Sequence, residues 1–234
     1  MKKIIRNIHN AMSHMFYPHI CLGCGTDQLS IQQTICAKCF YQLPLTDFFL
    51  HADNPVEKTF WGRLPIKAAG SWVYFSKKSP IQHMLHALKY KGNDLCGIHL
   101  GKSIGHALQE SVRFANLDGI IPLPLYAARE KQRGYNQSMM IAQGIAEIIH
   151  LPIWDESVRR NRPTASQTKK TRAERWQNMF EGFEVIKNPM IQDKNILLVD
   201  DVITTGASLE ACGQCLVNAG IKELFIATVA YTTK

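Results

Sequence analysis

No stretch of this 234-residue chain is long and apolar enough to cross a bilayer, because charged or polar residues interrupt every candidate. Internal repeats and low-complexity tracts are also missing from the sequence, and nothing in the composition indicates a disordered or fibrous chain. The first residues are basic but contain neither an unbroken apolar core nor a small-residue cleavage site, so no export signal is predicted. We therefore expect a cytoplasmic protein whose seven cysteines are metal ligands or core thiols rather than disulfides.

Positive charge dominates, since 27 lysines and arginines against 19 acids give a net charge of +8. This balance favours anionic partners, namely phosphates, nucleic acid or an acidic membrane surface, without choosing among them. Apolar residues near the start recur at helical spacing, which predicts an amphipathic helix that docks on the rest of the protein or contacts a membrane. They are Ile4, Ile5, Ile8, Met12, Met15 and Phe16.

The chain divides near residue 60. We predict an N-terminal helix and a four-cysteine module over residues 1–59, and a larger domain over residues 60–234. Apolar runs alternate with helical patterns in the larger domain, which predicts a mostly parallel sheet flanked by helices on both faces. A polar segment without apolar periodicity, residues 158–177, interrupts this alternation. In such folds ligands bind beyond the carboxyl ends of the strands, so we look for chemistry in the loops there.

Four cysteines form a C-x2-C…C-x2-C pattern with eleven residues between the pairs: Cys21, Cys24, Cys36 and Cys39. Two thiolates two residues apart can face one ion and two such pairs complete a tetrahedral site, so we predict a structural zinc site. Gly23 and Gly25 provide backbone freedom for the tight turns. Four thiols without metal are less favoured, because so short a segment has too little apolar material to fold alone. Cys212 and Cys215 form a further pair inside a predicted helix and are interpreted as apolar packing residues.

The segment from Ile196 to Ser208 is the most informative part of the chain. A buried strand is predicted to end at two carboxylates, Asp200 and Asp201, after which a short loop of Thr, Gly and Ser leads into a helix. N–H groups at a helix N-terminus favour phosphate, whereas carboxylates suit sugar hydroxyls. The segment therefore predicts a pocket for a ribose 5-phosphate, with the phosphate on residues 204–208. An acidic turn with a threonine N-cap would explain only one or two of these residues.

The stretch VDDVITTGAS, residues 199–208, resembles the phosphoribosyl-pyrophosphate signature of type I phosphoribosyltransferases. The cysteine quartet, the LKYKG segment that ends at Gly92, residues 122–137 and residues 160–167 resemble the narrower competence-associated family called ComF or GntX-like. These segments occur in the family's order and cover nearly the whole chain. The resemblance implies a type I phosphoribosyltransferase-like fold with a small N-terminal zinc-binding module.

The same resemblance implies roles for individual residues. In related transferases pyrophosphate leaves C1 of the ribose and a nitrogen attacks, which implies Mg2+ bound with the pyrophosphate and catalytic roles for Asp200, Asp201 and Arg162. The residues around Arg162 resemble the flexible catalytic loop, and those after the predicted strand at 117–125 resemble the pyrophosphate loop. The residues implied to contact the phosphoribosyl and pyrophosphate groups are Lys89, Arg129, Arg133, Asn136, Asp200, Asp201, Thr204, Thr205, Gly206, Ala207 and Ser208.

Two functions stay open. One is a transferase that binds phosphoribosyl pyrophosphate with Mg2+ and is associated with DNA uptake in natural transformation, as the resemblance implies. The other is a non-catalytic single-stranded DNA-binding protein regulated by a phosphoribosyl ligand, which acts with competence-machinery proteins. Ten basic residues against five acids between Arg129 and Arg175 fit either function, and a plain solvated basic surface would also account for part of them.

Overall fold

Four parallel strands form the centre of the protein in a computed structural model that describes residues 20–29, 33–90, 92–161, 182–186 and 189–233. The strand order is β1-β6-β5-β2, and a separate antiparallel ribbon pairs β3 with β4. The central strands are buried along almost their whole length, as expected for a parallel sheet covered on both faces. The strands are β1 (Ala68–Tyr74), β2 (Gly119–Pro122), β3 (Val158–Arg160), β4 (Phe183–Val185), β5 (Asn195–Ile203) and β6 (Glu223–Tyr231).

Helices cover both faces of the sheet, which confirms the predicted fold class. Among the described residues, no helix is of a length and apolarity that would cross a membrane. The helices are α1 (Ala37–Tyr41), α2 (Pro55–Lys58), α3 (Pro80–Tyr90), α4 (Asp94–Gln109), α5 (Ala127–Arg133), α6 (Gln137–Ile149) and α7 (Ala207–Asn218), with 3-10 turns at Val112–Phe114 and Asp155–Ser157.

Alternate residues of β5 point into two separate apolar layers. Leu197 and Val199 pack with α3, α4 and α6 on one face, whereas Ile196 and Leu198 pack with α7 on the other. Helices α4 and α6 approach closely because each has a glycine at the contact. A Cβ atom on Gly101 would collide with the carbonyl oxygen of Ile141.

Two elements differ from the sequence prediction. Residues 127–133 were expected in a loop, but they form α5, a helix with no buried residue, and so lack the apolar stripe on which helix prediction depends. The start of the polar segment at 158–177 is also not irregular. Residues 158–160 form β3, which pairs with β4 through Arg159 and Glu184.

The cysteine segment packs directly on the larger domain. The carbonyl oxygen of Gly23 accepts from His83 Nδ1 at 2.9 Å if that nitrogen carries the proton, and Thr34 Oγ1 lies 2.9 Å from His99 Nδ1. Further along, Phe48 and Val56 are buried in the apolar layer beneath α7. The division at residues 59 and 60 stays a prediction, and the predicted N-terminal helix lies outside the described residues.

Candidate functional site: an acidic pair beside a helix N-terminus

Asp200 and Asp201 lie inside β5 and not after it, because β5 continues to Ile203. Val202 and Ile203 extend the ladder by pairing with Ala230 and Tyr231 of β6. Neighbouring strand residues point to opposite faces, so the two carboxylates have different surroundings. Asp200 Oδ1 accepts from the Ser138 hydroxyl at 2.9 Å and from the Asp201 amide at 2.8 Å.

Asp201 forms an ion pair with Lys89, a residue that the sequence analysis had named as a ligand contact. Lys89, the second-last residue of α3, places Nζ 2.8 Å from Asp201 Oδ2. Asp201 itself is only 5% exposed. Lys89 was predicted to contact the ligand's phosphates, but in this structure its charge is directed at the carboxylate.

The pKa of the Asp200 carboxyl is raised to about 7, first by desolvation and then by the neighbouring Asp201 charge. The Ser138 and Asp201 hydrogen bonds and the Lys89 charge act in the opposite direction. Two adjacent acids therefore share less than two full negative charges at neutral pH. This lowers their repulsion toward a phosphorylated ligand and keeps oxygens available for hydroxyl donors.

The loop after β5 leads into α7 through Gly206, which is the N-cap with φ 72°. A side chain there would be strained, and a Cβ atom would also lie 3.0 Å from atoms of Thr59 and Phe60. The N-cap is therefore glycine and not threonine. Thr204 and Thr205 are exposed, while Ala207 and Ser208 are half-buried in the first turn of α7. The N–H groups of a first helical turn have no acceptor within the helix, so they can bind an anion.

A second segment holds this loop in place from outside. Arg63 donates through Nη1 to the carbonyl oxygens of Thr205, at 3.3 Å, and Thr59, at 3.1 Å. Its Nη2 pairs with Glu210 of α7, a carboxylate that is only 1% exposed. Sequence reasoning missed this support, because the partners lie about 140 residues apart in the chain and no local pattern connects them.

Asn136 has a structural task in addition to its predicted contact with the ligand. Its side chain caps α6 by accepting from Ser138 N at 3.0 Å, and its Nδ2 donates to Leu123 O, just after β2, at 3.1 Å. The turn that carries Asn136 is thereby tied to the carboxyl end of β2, next to β5. Ser138, which the sequence did not single out, is brought to Asp200 by this turn.

The two predicted arginines lie on α5 with different neighbours. Arg129 is exposed. Arg133 places its guanidinium 5.6 Å from the ring centre of Tyr90. Arg160, at the end of β3, was not among the predicted contacts, yet desolvation and the charge of Arg129 lower its pKa while Asp200 raises it. Arg160 is therefore a further cation close enough to both Arg129 and Asp200 to feel their charges. Arg162 lies outside the described residues.

The four cysteine sulfurs lie within 4.8 Å of one another and could hold a metal ion. Cys24 Sγ and Cys36 Sγ are 3.8 Å apart, which matches the spacing of about 3.8 Å that sulfurs have at the corners of a tetrahedron with bonds of about 2.3 Å. Gly25 has φ 76° at the turn. Gly23 is required for a different reason from the predicted one, because a Cβ atom there would lie 2.7 Å from Cys39 Sγ.

The thiol pKa values show why this cluster suits a cation. Burial alone would raise the pKa of Cys21, but backbone N–H groups, among them those of Gly23 and Cys36 at 3.3 Å, outweigh it and lower that pKa to about 6. Burial and the neighbouring thiols instead hold the pKa of Cys39 well above its usual value. Four sulfurs this close cannot all be thiolates without a positive ion among them.

Comparison with known proteins agrees with the site geometry. Residues 136–234, which include Asn136, both acids and the loop into α7, match the family described as phosphoribosyl transferase domain. The predicted resemblance to phosphoribosyltransferases is therefore confirmed over residues 136–234.

The curated relatives extend the similarity to most of the chain. Competence protein F of Haemophilus influenzae is 25% identical over 90% of both chains. DNA utilization protein YhgH of Escherichia coli K12 is 28% identical over 80% of both. Competence protein ComFC of Bacillus subtilis is 34% identical over 43% of this chain and 39% of its own length. The predicted resemblance to competence-associated proteins is confirmed by these matches.

Proposed function

We propose that this protein binds phosphoribosyl pyrophosphate, or a closely related phosphosugar, at the carboxyl ends of β5 and β2. The observation that carries the proposal is the juxtaposition of Asp200 and Asp201 with the Thr204–Ser208 loop at the N-terminus of α7. The carboxylates would accept from the ribose hydroxyls. The loop hydroxyls and the first-turn N–H groups would bind the 5′-phosphate.

The cations around the acidic pair suit the other end of such a ligand. Helix α5 carries Arg129 and Arg133, and β3 ends at Arg160. We propose that Arg162 joins them as a catalytic residue. Together they would neutralise a departing pyrophosphate, which is the main electrostatic need of phosphoribosyl transfer. Lys89, which now pairs with Asp201, would set the charge of the ribose-binding carboxylates.

Mg2+ is the proposed ion for the pyrophosphate. The donor set fits, because Asp201 is already paired with Lys89 and the pKa of Asp200 is raised, so the protein offers few charged oxygens. Mg2+ suits such a site since it keeps several waters and binds phosphate oxygens rather than a full protein cage. When bound, it would supply charge neutralisation to the leaving group.

The proposed transferase step forms a bond between a nitrogen of an acceptor and C1 of the ribose, while the bond from C1 to pyrophosphate breaks. Calorimetric titration of phosphoribosyl pyrophosphate with Mg2+ tests the pocket first. We expect Asp200→Asn/Asp201→Asn to lose at least about a hundredfold in affinity, since two charge-assisted hydrogen bonds are weakened. A control variant, Asp155→Asn/Glu156→Gln, removes two exposed acids and should bind as wild type does.

Undiminished binding by the Asp200→Asn/Asp201→Asn variant, or no binding by metal-loaded wild type, would overturn the proposed pocket. If the pocket is real, release of pyrophosphate in the presence of bases or amines separates an enzyme from a binding protein. The acceptor is the only unknown reactant in that assay.

A second candidate function is single-stranded DNA handling in DNA uptake, with occupancy of the phosphoribosyl pocket as its regulator and competence-machinery proteins as its partners. Two observations favour it: relatives along most of the chain are named for competence and DNA utilization, and α5 carries the exposed Arg129 and Lys131 and the half-buried Arg133 beside the pocket. Phosphate contacts by such side chains supply most non-specific affinity for nucleic acid. This role belongs in the cytoplasm, which is where we propose that the protein acts.

Zn2+ is the proposed ion of the cysteine cluster. Four thiolates complete its tetrahedral shell and leave no open position, so the role is structural. Metal analysis of purified protein should find one zinc per chain.

A further inference from the structure

Beside the acidic pocket, the His86 ring is tilted at 44° against the Tyr90 ring and the Arg133 guanidinium lies over it, a group that we call the stack. The Tyr90 ring is 66% exposed. Its centre lies 4.9 Å from that of the His86 ring, and the Arg133 guanidinium lies 5.6 Å from it. A ring this open, with a cation held against it, is accessible to a planar group of a ligand.

The backbone holds the stack in position. Tyr90 is the last residue of α3, and Arg133 is the last residue of α5, which ends at Gly134 in the left-handed conformation. The Tyr135 hydroxyl donates to the carbonyl oxygen of Leu88 and so ties the end of one helix to the other. The two helix ends that carry Tyr90 and Arg133 are therefore held side by side by the fold.

The charge around the stack is positive. Helix α5 has three cations against one acid, Glu130, and none of its residues is buried. On the other side of Tyr90, its neighbour Lys89 reaches Asp201 in the pocket. An exposed aromatic ring beside a row of cations is the arrangement that binds single strands, in which bases stack and phosphates pair with cations.

We infer that Tyr90, flanked by His86 and Arg133, is a stacking platform for a base of single-stranded DNA whose phosphates lie along α5. The inference rests on the second candidate function and names its contact surface. A free base is a poorer occupant. One stacking contact contributes roughly 5- to 150-fold in affinity. A free base bound by that contact alone would have a dissociation constant of about 10 mM or weaker. A strand adds phosphate contacts to the same stack.

Fluorescence anisotropy with labelled oligothymidylate of about 15 nucleotides tests the platform, since that length spans a typical single-strand site. An abasic strand of equal length supplies the same phosphates without bases. We expect wild type to bind the thymidylate strand more tightly than the abasic one. Tyr90→Leu should lose roughly 5- to 150-fold for thymidylate and stay within about twofold of wild type for the abasic strand. Tyr90→Phe should retain thymidylate binding.

Tyr41→Leu is the matched control, because Tyr41 is also an exposed tyrosine, 86% open, but lies on α1 of the cysteine segment. It should bind both strands as wild type does. Equal binding of the two strands by wild type, or thymidylate binding by Tyr90→Leu equal to that of wild type, would overturn the platform. Titration of phosphoribosyl pyrophosphate into Tyr90→Leu keeps the two proposals apart, because a failed pocket leaves the strand assay unaffected.

Discussion

Lys89 of α3 and Asp201 of β5 form an ion pair with 2.8 Å between Nζ and Oδ2, and this pair joins the helical layer of the protein to the candidate pocket. Asp201 is buried and Lys89 half-buried, so the pair is only weakly screened by solvent. Asp200, one residue earlier, instead accepts a hydrogen bond from the Ser138 hydroxyl. The two adjacent acids therefore depend on different partners, and we expect substitutions of them to have different effects.

The raised pKa of Asp200 predicts that it costs stability at high pH. The folded-state pKa, about 7, lies above the usual value of 3.8. The folded protein therefore binds more protons than the unfolded chain between about pH 4 and pH 7, and stability falls as pH rises through this window. Asp200→Asn keeps the acceptor oxygen for Ser138 and removes the charge. Urea denaturation should show it more stable than wild type at pH 8, by up to about 4 kcal/mol, and nearly equal at pH 4. An equal difference at both pH values would contradict the assignment.

Removing the proposed zinc should disorder the packing of residues 21–41, the cysteine segment, on Trp72. The ring of Phe40, next to Cys39 in α1, lies 6.1 Å from that of Trp72, which is 7% exposed. We expect a chelator, or Cys24→Ser, to shift tryptophan emission to longer wavelength and to lower the melting temperature, because metal binding and folding are coupled in such modules. The Trp72→Phe variant should lose the emission shift while keeping the drop in melting temperature. Cys215→Ser, in α7, should retain the metal.

Gly101 should tolerate no side chain. An alanine Cβ there would collide with the carbonyl oxygen of Ile141 across the contact of α4 with α6, and backbone cannot move aside as a flexible side chain can. We expect Gly101→Ala to lower the free energy of unfolding by about 1–3 kcal/mol, the usual range for overpacking. His106→Ala, at an exposed position of α4, should change it by no more than about 0.5 kcal/mol. Chemical denaturation measures both, and equal stabilities would refute close packing.

Arg63 should matter more for the pocket than its partial exposure implies. Arg63→Met leaves the Glu210 carboxylate buried without its cation, and loss of one partner of a buried pair costs about 3–5 kcal/mol. Adding Glu210→Leu should restore much of the stability, because the uncompensated charge is removed. The double variant still lacks the hydrogen bond to Thr205, so phosphoribosyl pyrophosphate should bind more weakly than to wild type even when folding is recovered. Lys67→Met, which removes an exposed lysine paired with the half-buried Glu223, serves as control for both measurements.

Strands and helices with a clear apolar pattern could be predicted from the sequence, but the distant residues that they contact could not. The apolar run from Glu223 to Tyr231 coincides with β6, because a fully buried parallel strand has an unbroken apolar sequence. Strand β5 was predicted to end at Asp200 and Asp201 but continues to Ile203, since pairing with β6 keeps these two poor strand formers in the ladder. Helix α5 was not predicted because a helix without buried residues has no apolar stripe in its sequence.

The candidate site shows the same division. Both acids and the loop after them could be named from local sequence, and the structure brings them together with Lys89 and Asn136. Ser138 lies 62 positions before Asp200, and Arg63 lies 142 before Thr205. Contacts of this kind depend on how helices pack on the sheet, which no local pattern encodes.

Helix α3 connects two parts of the molecule that have been treated separately. Its first turn carries His83, which is hydrogen-bonded to Gly23 between the cysteines. Its last turn carries Lys89, which forms the ion pair with Asp201. Eleven residues of helix form a rigid strut about 16 Å long. Because both contacts depend on this one helix, we expect zinc in the cysteine cluster to affect ligand affinity at the proposed pocket, which lies at the opposite end of α3.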